Sequence, residues 1–117
     1  MEKTEKELWA IIKKANWKKD HNYNRIRDGF KKLPIDERNQ LEKFIETKVK
    51  EVYDRFEKDW LGNPGFECSD DSYSDLTAEV VGRGEKFFDN ISTKKMRQMA
   101  EDRDYRESFI YTLHFDL

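Results

Sequence analysis

Ten consecutive positions, Glu67-Cys68-Ser69-Asp70-Asp71-Ser72-Tyr73-Ser74-Asp75-Leu76, hold four acidic residues, three serines and the chain's only cysteine. Asp71, Asp75 and Glu79 are spaced i, i+4, i+8, which places three carboxylates on one face if the segment is helical. Hard oxygen ligands of that kind suit Mg²⁺ or Ca²⁺, and with Asp70 they outline a metal-dependent hydrolase or transferase. A line of carboxylates on one helix needs further ligands from a second element, and no motif names one. The same residues also suit a helix start. Ser69 or Asp70 can cap the free amides, and each carboxylate at the positive end contributes about 0.3–1 kcal/mol. A third use is an exposed acidic edge of Glu67, Asp70, Asp71 and Asp75 with Phe66 or Tyr73 as an aromatic anchor for a protein partner.

Cys68 beside that helix start is a candidate nucleophile only if a base approaches it. The only histidines are His21 and His114, and neither shares a local motif with it. A small buried apolar side chain is the expected role. Positions 21, 68 and 114 lack zinc-ligand spacing. Gly82-Arg83-Gly84 is too short for a phosphate-cradling loop and follows a helical pattern instead of a strand. No serine nucleophile elbow is present. The reading expects no catalytic residue, no metal and no cofactor.

Lys13, Lys14, Lys18 and Lys19 lie among Trp9, Trp17 and Tyr23, a combination that can hold phosphates and stack bases. A sequence pI of 5.8 argues against nucleic acid, and lysines in a last helical turn also complement the helix dipole. Residues 1–33 hold ten Lys/Arg against five Asp/Glu, whereas the whole chain carries −2, so residues 34–117 are strongly acidic. This asymmetry fits either a dipolar binding surface or plain solvated helix faces.

The elements that position these residues follow from apolar spacing. Thr4 and Glu7 form a capping box, and Leu8, Ile11, Ile12 and Ala15 recur behind it, which predicts a helix over 5–16 with Trp9 on its flank and Trp17 just past its end. Asn22 is a cap for a helix over 23–32, with Tyr23, Ile26, Phe30 and Leu33 inward. Gly29 weakens that helix by roughly 1 kcal/mol or allows a close helix approach. After Pro34, the positions Leu41, Phe44, Ile45, Val49, Val52, Tyr53, Phe56 and Trp60 keep a 3.6-residue period over 35–61, the expected spine. A turn at Gly62-Asn63-Pro64-Gly65 precedes a helix starting near Asp70, with Tyr73, Leu76, Val80 and Val81 inward. Short helices follow at 85–90 (Phe87, Phe88 and Ile91 buried) and after Ser92 or Thr93 (Met96, Met99 and Ala100 inward). Residues 105–115 read as helix or strand. Without alternating strand patterns elsewhere, the fold class is all-α, five to seven helices in one domain over 1–117.

Charged residues make up 41% of the chain, and mean hydropathy is −1.07. A 14% aromatic content and the small net charge nevertheless support a thin, ring-rich core. Charges at Glu2, Lys3, Glu5, Lys6 and Glu7 interrupt any signal-like run, no apolar run reaches the roughly 18 residues of a membrane span, and one cysteine forms no internal disulfide. The expected setting is the cytoplasm, with no membrane association.

Cys68-Ser69-Asp70-Asp71, followed by Tyr73, Asp75, Leu76, Gly84 and Phe87-Phe88, resembles the bacterial "domain of unknown function 4240" family. Leu8-Trp9-Ala10-Ile11-Ile12 resembles that family's opening helix, and Leu33-Pro34 its entry to a long helix. The resemblance implies a helical fold and a bacterial or phage origin, and it carries no catalytic residues. Two departures stand out: family members have a more apolar, tryptophan-rich continuation where this chain has Thr77-Ala78-Glu79, and many members extend further.

The function expected from the sequence is a non-enzymatic module that occupies a protein partner, of the inhibitor, immunity or phage-antagonist kind, through Phe66, Glu67, Asp70, Asp71, Tyr73 and Asp75. The metal enzyme and the nucleic-acid binder are the alternatives. A monomer fits, and so does a homodimer seamed by Trp9, Trp17 or Trp60.

Overall fold

The computed structural model describes residues 3–17, 23–62, 70–106 and 109. Six helices, and no strand, occur among the described residues: α1 (Glu5–Ala15), α2 (Tyr23–Lys31), α3 (Ile35–Gly62), α4 (Asp70–Gly82), α5 (Glu85–Asn90) and α6 (Thr93–Asp102). The all-α expectation holds. Most of the terminal segment expected as helix or strand lies outside the described residues, as do Asn22 and Trp60's side chain.

α1 begins with the capping box foreseen from Thr4 and Glu7. The Glu7 amide donates to Thr4 Oγ1 at 3.2 Å, and the Thr4 amide donates to Glu7 Oε1 at 3.1 Å. It ends at Asn16, whose φ of 55° reverses the chain. That reversal turns Trp17 into the protein, where it is 1% exposed. Trp9 is buried too, its ring centroid 5.3 Å from both Phe44 and Phe88. Neither tryptophan is available for a dimer seam or for stacking bases, which corrects both expectations: two more large rings were needed to fill a thin core.

α3 spans 28 residues, about 42 Å at 1.5 Å per residue, and matches the longest dimension of the molecule, 44 Å. Its first turn is closed by the Arg38 amide donating to Pro34 O at 2.9 Å. Gln40 clasps the N-terminal strand-like approach of α1 by donating to Lys3 O at 2.7 Å and accepting from the Lys3 amide at 2.9 Å. Leu41, Ile45 and Val52 are fully buried, each worth about 1.5–3 kcal/mol relative to exposure.

α3 gives the molecule its length, but α4 occupies its centre. Every residue from Leu76 through Gly82 is buried, and α4 packs against α3, α5 and α6. A helical stretch buried in this way must satisfy its polar side chains internally. Thr77 does so by donating to Ser74 O at 2.8 Å. At Gly82, an added Cβ would lie 2.8 Å from Trp17 Cδ1 and 3.0 Å from Phe109 Cδ1, so the α4 backbone meets these rings directly. Gly84, with φ of 103°, then turns the chain into α5. Ser92 caps α6 by accepting from the Lys95 amide at 3.1 Å, and Met96, Met99 and Ala100 face inward as expected.

Candidate functional site

Glu79 is 1% exposed at the middle of α4. Its Oε1 accepts from Trp17 Nε1 at 2.8 Å and from the Arg106 amide at 3.1 Å, while Oε2 accepts from Arg83 Nε at 2.9 Å. Arg83 lies one turn further along α4, and its Nη2 donates to Asp104 O at 2.9 Å and to Asp104 Oδ1 at 2.8 Å. Burial works against the Arg83 charge, but the bonds to Asp104 and then Glu79 outweigh it and hold the guanidinium above its ordinary pKa. Arg106 stacks its guanidinium 4.0 Å from the centre of the Trp17 ring and donates to Trp17 O. One buried carboxylate therefore joins the end of α1, the end of α4 and the chain after α6.

This network takes Glu79 out of the metal reading of Asp70, Asp71, Asp75 and Glu79. Both Glu79 oxygens are engaged by cationic or N–H donors, so the third carboxylate of the Asp71, Asp75 and Glu79 face is withdrawn from it. Among the described residues no group of three or more His, Cys, Asp and Glu side chains is placed to hold an ion.

Of the expected partner-binding residues, Tyr73 and Asp75 are the two whose side chains are described. Tyr73 is 0% exposed. Its ring packs 4.7 Å from that of Tyr53, and its hydroxyl donates to Tyr53 O at 2.9 Å. It is a core residue of the α3–α4 contact and no surface anchor. Asp75 is partly buried on α4. Asp70 and Asp71 form the first turn of α4, and their side chains lie outside the described part. Phe66, Glu67 and Cys68 lie outside the described residues, as do Lys18, Lys19, His21 and His114.

Two surface concavities stand out instead. One is a groove of about 430 Å³ between α1 and α2, floored by Ile11, Ala15, Ile26, Phe30 and Leu33 and edged by Lys14 and Arg25. Gly29 lies on it, and a Cβ built there meets nothing within 4 Å. Gly29 therefore does not serve the close helix approach considered from the sequence; it leaves the groove open. The second is a cleft of about 360 Å³ above the Glu79 network, between the end of α4 and the chain following α6.

The profile of the family described as "Protein of unknown function (DUF4240)" matches residues 3–113. The chain belongs to the DUF4240 family. That match runs through both the α1–α2 groove and the elements joined by Glu79. No curated protein and no solved structure matches the chain. The stretch Thr77-Ala78-Glu79 has a structural use in this DUF4240 chain. The charged residue in that otherwise apolar stretch is the one that Trp17, Arg83 and Arg106 surround. The sequence placed Glu79 on one helical face with Asp71 and Asp75, as a candidate metal ligand, and gave no sign of its pairing with Arg83 and Arg106. The i, i+4 spacing of Glu79 and Arg83 inside a buried helix was the available signal.

Proposed function

We propose that this DUF4240 protein is a non-enzymatic binding module that acts in the cytoplasm by occupying a protein partner, in the manner of an inhibitor, immunity factor or phage-encoded antagonist. The observation that carries the reading is the open α1–α2 groove. Its floor is aliphatic and aromatic, and the charged residues lining it, Lys14 and Arg25, are both basic. Among the described residues no acidic side chain lines it. An amphipathic partner segment with apolar anchors at helical spacing and acidic residues flanking them is the complement of such a surface. The acidic segment around Asp71 and Asp75 supplies a second contact to a basic rim on the same partner.

Gly29 provides the test. Gly29→Gln puts a side chain into the groove and improves helix propensity, so the fold should be retained. Capture from host lysate with the wild-type chain, Gly29→Gln and the pair Asp71→Lys/Asp75→Lys would be compared. The reading expects a stoichiometric partner lost with Gly29→Gln, and a synthetic acidic, amphipathic peptide from that partner that competes for the wild-type groove. A partner held equally well by Gly29→Gln would remove the groove from the function. Loss with the Asp71/Asp75 pair alone would return the contact to the acidic segment.

A further inference from the structure

We infer that the cleft above Arg83, together with the shallower one beside it, forms a binding site for a small, multiply charged oxyanion. The first cleft is lined by Arg83, Lys95, Arg103 and Arg106 among other residues, and its carboxylates are Glu79 and Asp104. The neighbouring cleft, of about 420 Å³, shares Arg83, Phe87 and Lys95 and adds Lys86. Among the described residues, five cations and two carboxylates thus line two adjoining clefts, on a chain whose net charge is −2. Concave surfaces of one sign concentrate counter-ions.

The cations divide by employment. Arg83 and Arg106 are held by Glu79, Asp104 and Trp17, and the Arg83 side chain is 7% exposed. With Glu79 and Asp104 they form a fixed floor of balanced charge, and the excess positive charge of the site comes from the other three cations. Lys86, Lys95 and Arg103 make no side-chain hydrogen bond or ion pair among the described residues, and they stand at the rim. Neither Glu79 nor Asp104 is free to neutralise them, because both already face Arg83.

Arg103 adds an independent argument. It sits at the C-cap of α6 with φ 53° and ψ 40°, a left-handed conformation in which glycine or asparagine is favoured and other side chains are strained. The chain holds arginine where glycine would be more stable. A side chain required at these clefts accounts for that choice. Guanidinium and ammonium groups spread along two joined clefts match an anion with charge on more than one group, such as a diphosphate or a polycarboxylate. This site is separate from the α1–α2 groove and does not depend on it.

The test is calorimetry at low salt with sodium pyrophosphate and, separately, citrate. The site predicts saturable one-to-one binding of at least one of them. Arg103→Gly should weaken that binding at least ten-fold while raising the melting temperature by about 4 °C, and Lys95→Gln should weaken it as well. Lys50→Gln, on the far side of α3 in an exposed pair with Asp54, should leave binding unchanged. Tighter pyrophosphate identifies a phosphate-bearing ligand, and tighter citrate a polycarboxylate. Absence of saturable binding overturns the site, as does binding that survives Arg103→Gly and Lys95→Gln or falls equally with Lys50→Gln.

Discussion

Trp17 Nε1 donates to Glu79 Oε1 at 2.8 Å across 62 positions of sequence, with both side chains buried. The bond fixes the end of α1 against the middle of α4, and Arg83 and Arg106 complete the charge balance around it. Removing one partner of a buried charged set costs more than the bond itself is worth, because the remaining groups stay desolvated.

Glu79→Ala should therefore destabilise the fold by about 3–5 kcal/mol, by stranding Arg83. Trp17→Phe, which keeps a ring but loses the donor, should cost about 1.5–3 kcal/mol. Urea denaturation of Trp17→Phe, Glu79→Gln and the double variant should give a coupling of roughly 0.5–3 kcal/mol. Simple additivity of the two single changes would show that the bond contributes nothing to stability.

Gly82 and Gly29 should respond in opposite directions to alanine. At Gly82 the new methyl group meets Trp17 and Phe109 at 2.8 and 3.0 Å, atoms of packed rings and not flexible tips. Overpacking of that kind costs about 1–3 kcal/mol. At Gly29 nothing lies within 4 Å, and the gain in helix propensity is about 1 kcal/mol. Thermal denaturation of the two variants side by side reads the difference in sign.

Tyr73→Phe should cost about 0.5–1.5 kcal/mol, the net value of its hydroxyl bond to Tyr53 O. Tyr73→Ala should cost about 3–5 kcal/mol by opening a cavity between α3 and α4. If Tyr73 were a surface anchor, both changes would leave stability untouched and reduce only partner binding; equilibrium unfolding distinguishes the two outcomes.

Glu7 supplies a pH-dependent contribution. Its carboxyl lies below the ordinary 4.5, first because it accepts the Thr4 amide and then the Thr4 hydroxyl. A depressed folded-state pKa stabilises the fold above the unfolded value, and the contribution is lost as pH falls through the lower, folded value. Carbon-detected titration of Glu7 should give a midpoint below 4.5, moved part of the way back up in Thr4→Ala. A wild-type midpoint at or above the ordinary value would contradict the capping box.

The helices were legible because their signals are local. Thr4 with Glu7, Ser92 before α6, and the period running from Leu41 to Phe56 each report on a few neighbouring residues. The roles of Trp17, Glu79 and Tyr73 were not, because each is decided by a distant element. Trp17 is buried because Asn16 takes a left-handed turn. Glu79 is buried because the stretch of α4 from Leu76 to Gly82 is enclosed, which its own amphipathic pattern does not announce. Tyr73 has the composition of a surface anchor and the helical phase of a core residue, and packing against Tyr53 decides between them. Of the site expected from sequence, Asp75 is placed on a partly buried face, Tyr73 moves to the core, and the α1–α2 groove is new, since a groove belongs to two helices and to the missing side chain of Gly29.

The surroundings of Trp17 also order events in time. Its neighbours are Glu79, Gly82, Arg106 and Phe109, all made long after it. At about 5–20 residues per second of ribosomal synthesis, the end of α1 waits roughly 5–20 s for the residues that enclose it. Throughout that interval Trp17 has no final place to go, although Trp9 of α1 can already meet Phe44 on α3. The end of α1 is thus made before the elements that enclose it, and a nascent chain halted before Phe109 exposes a ring that the finished protein buries.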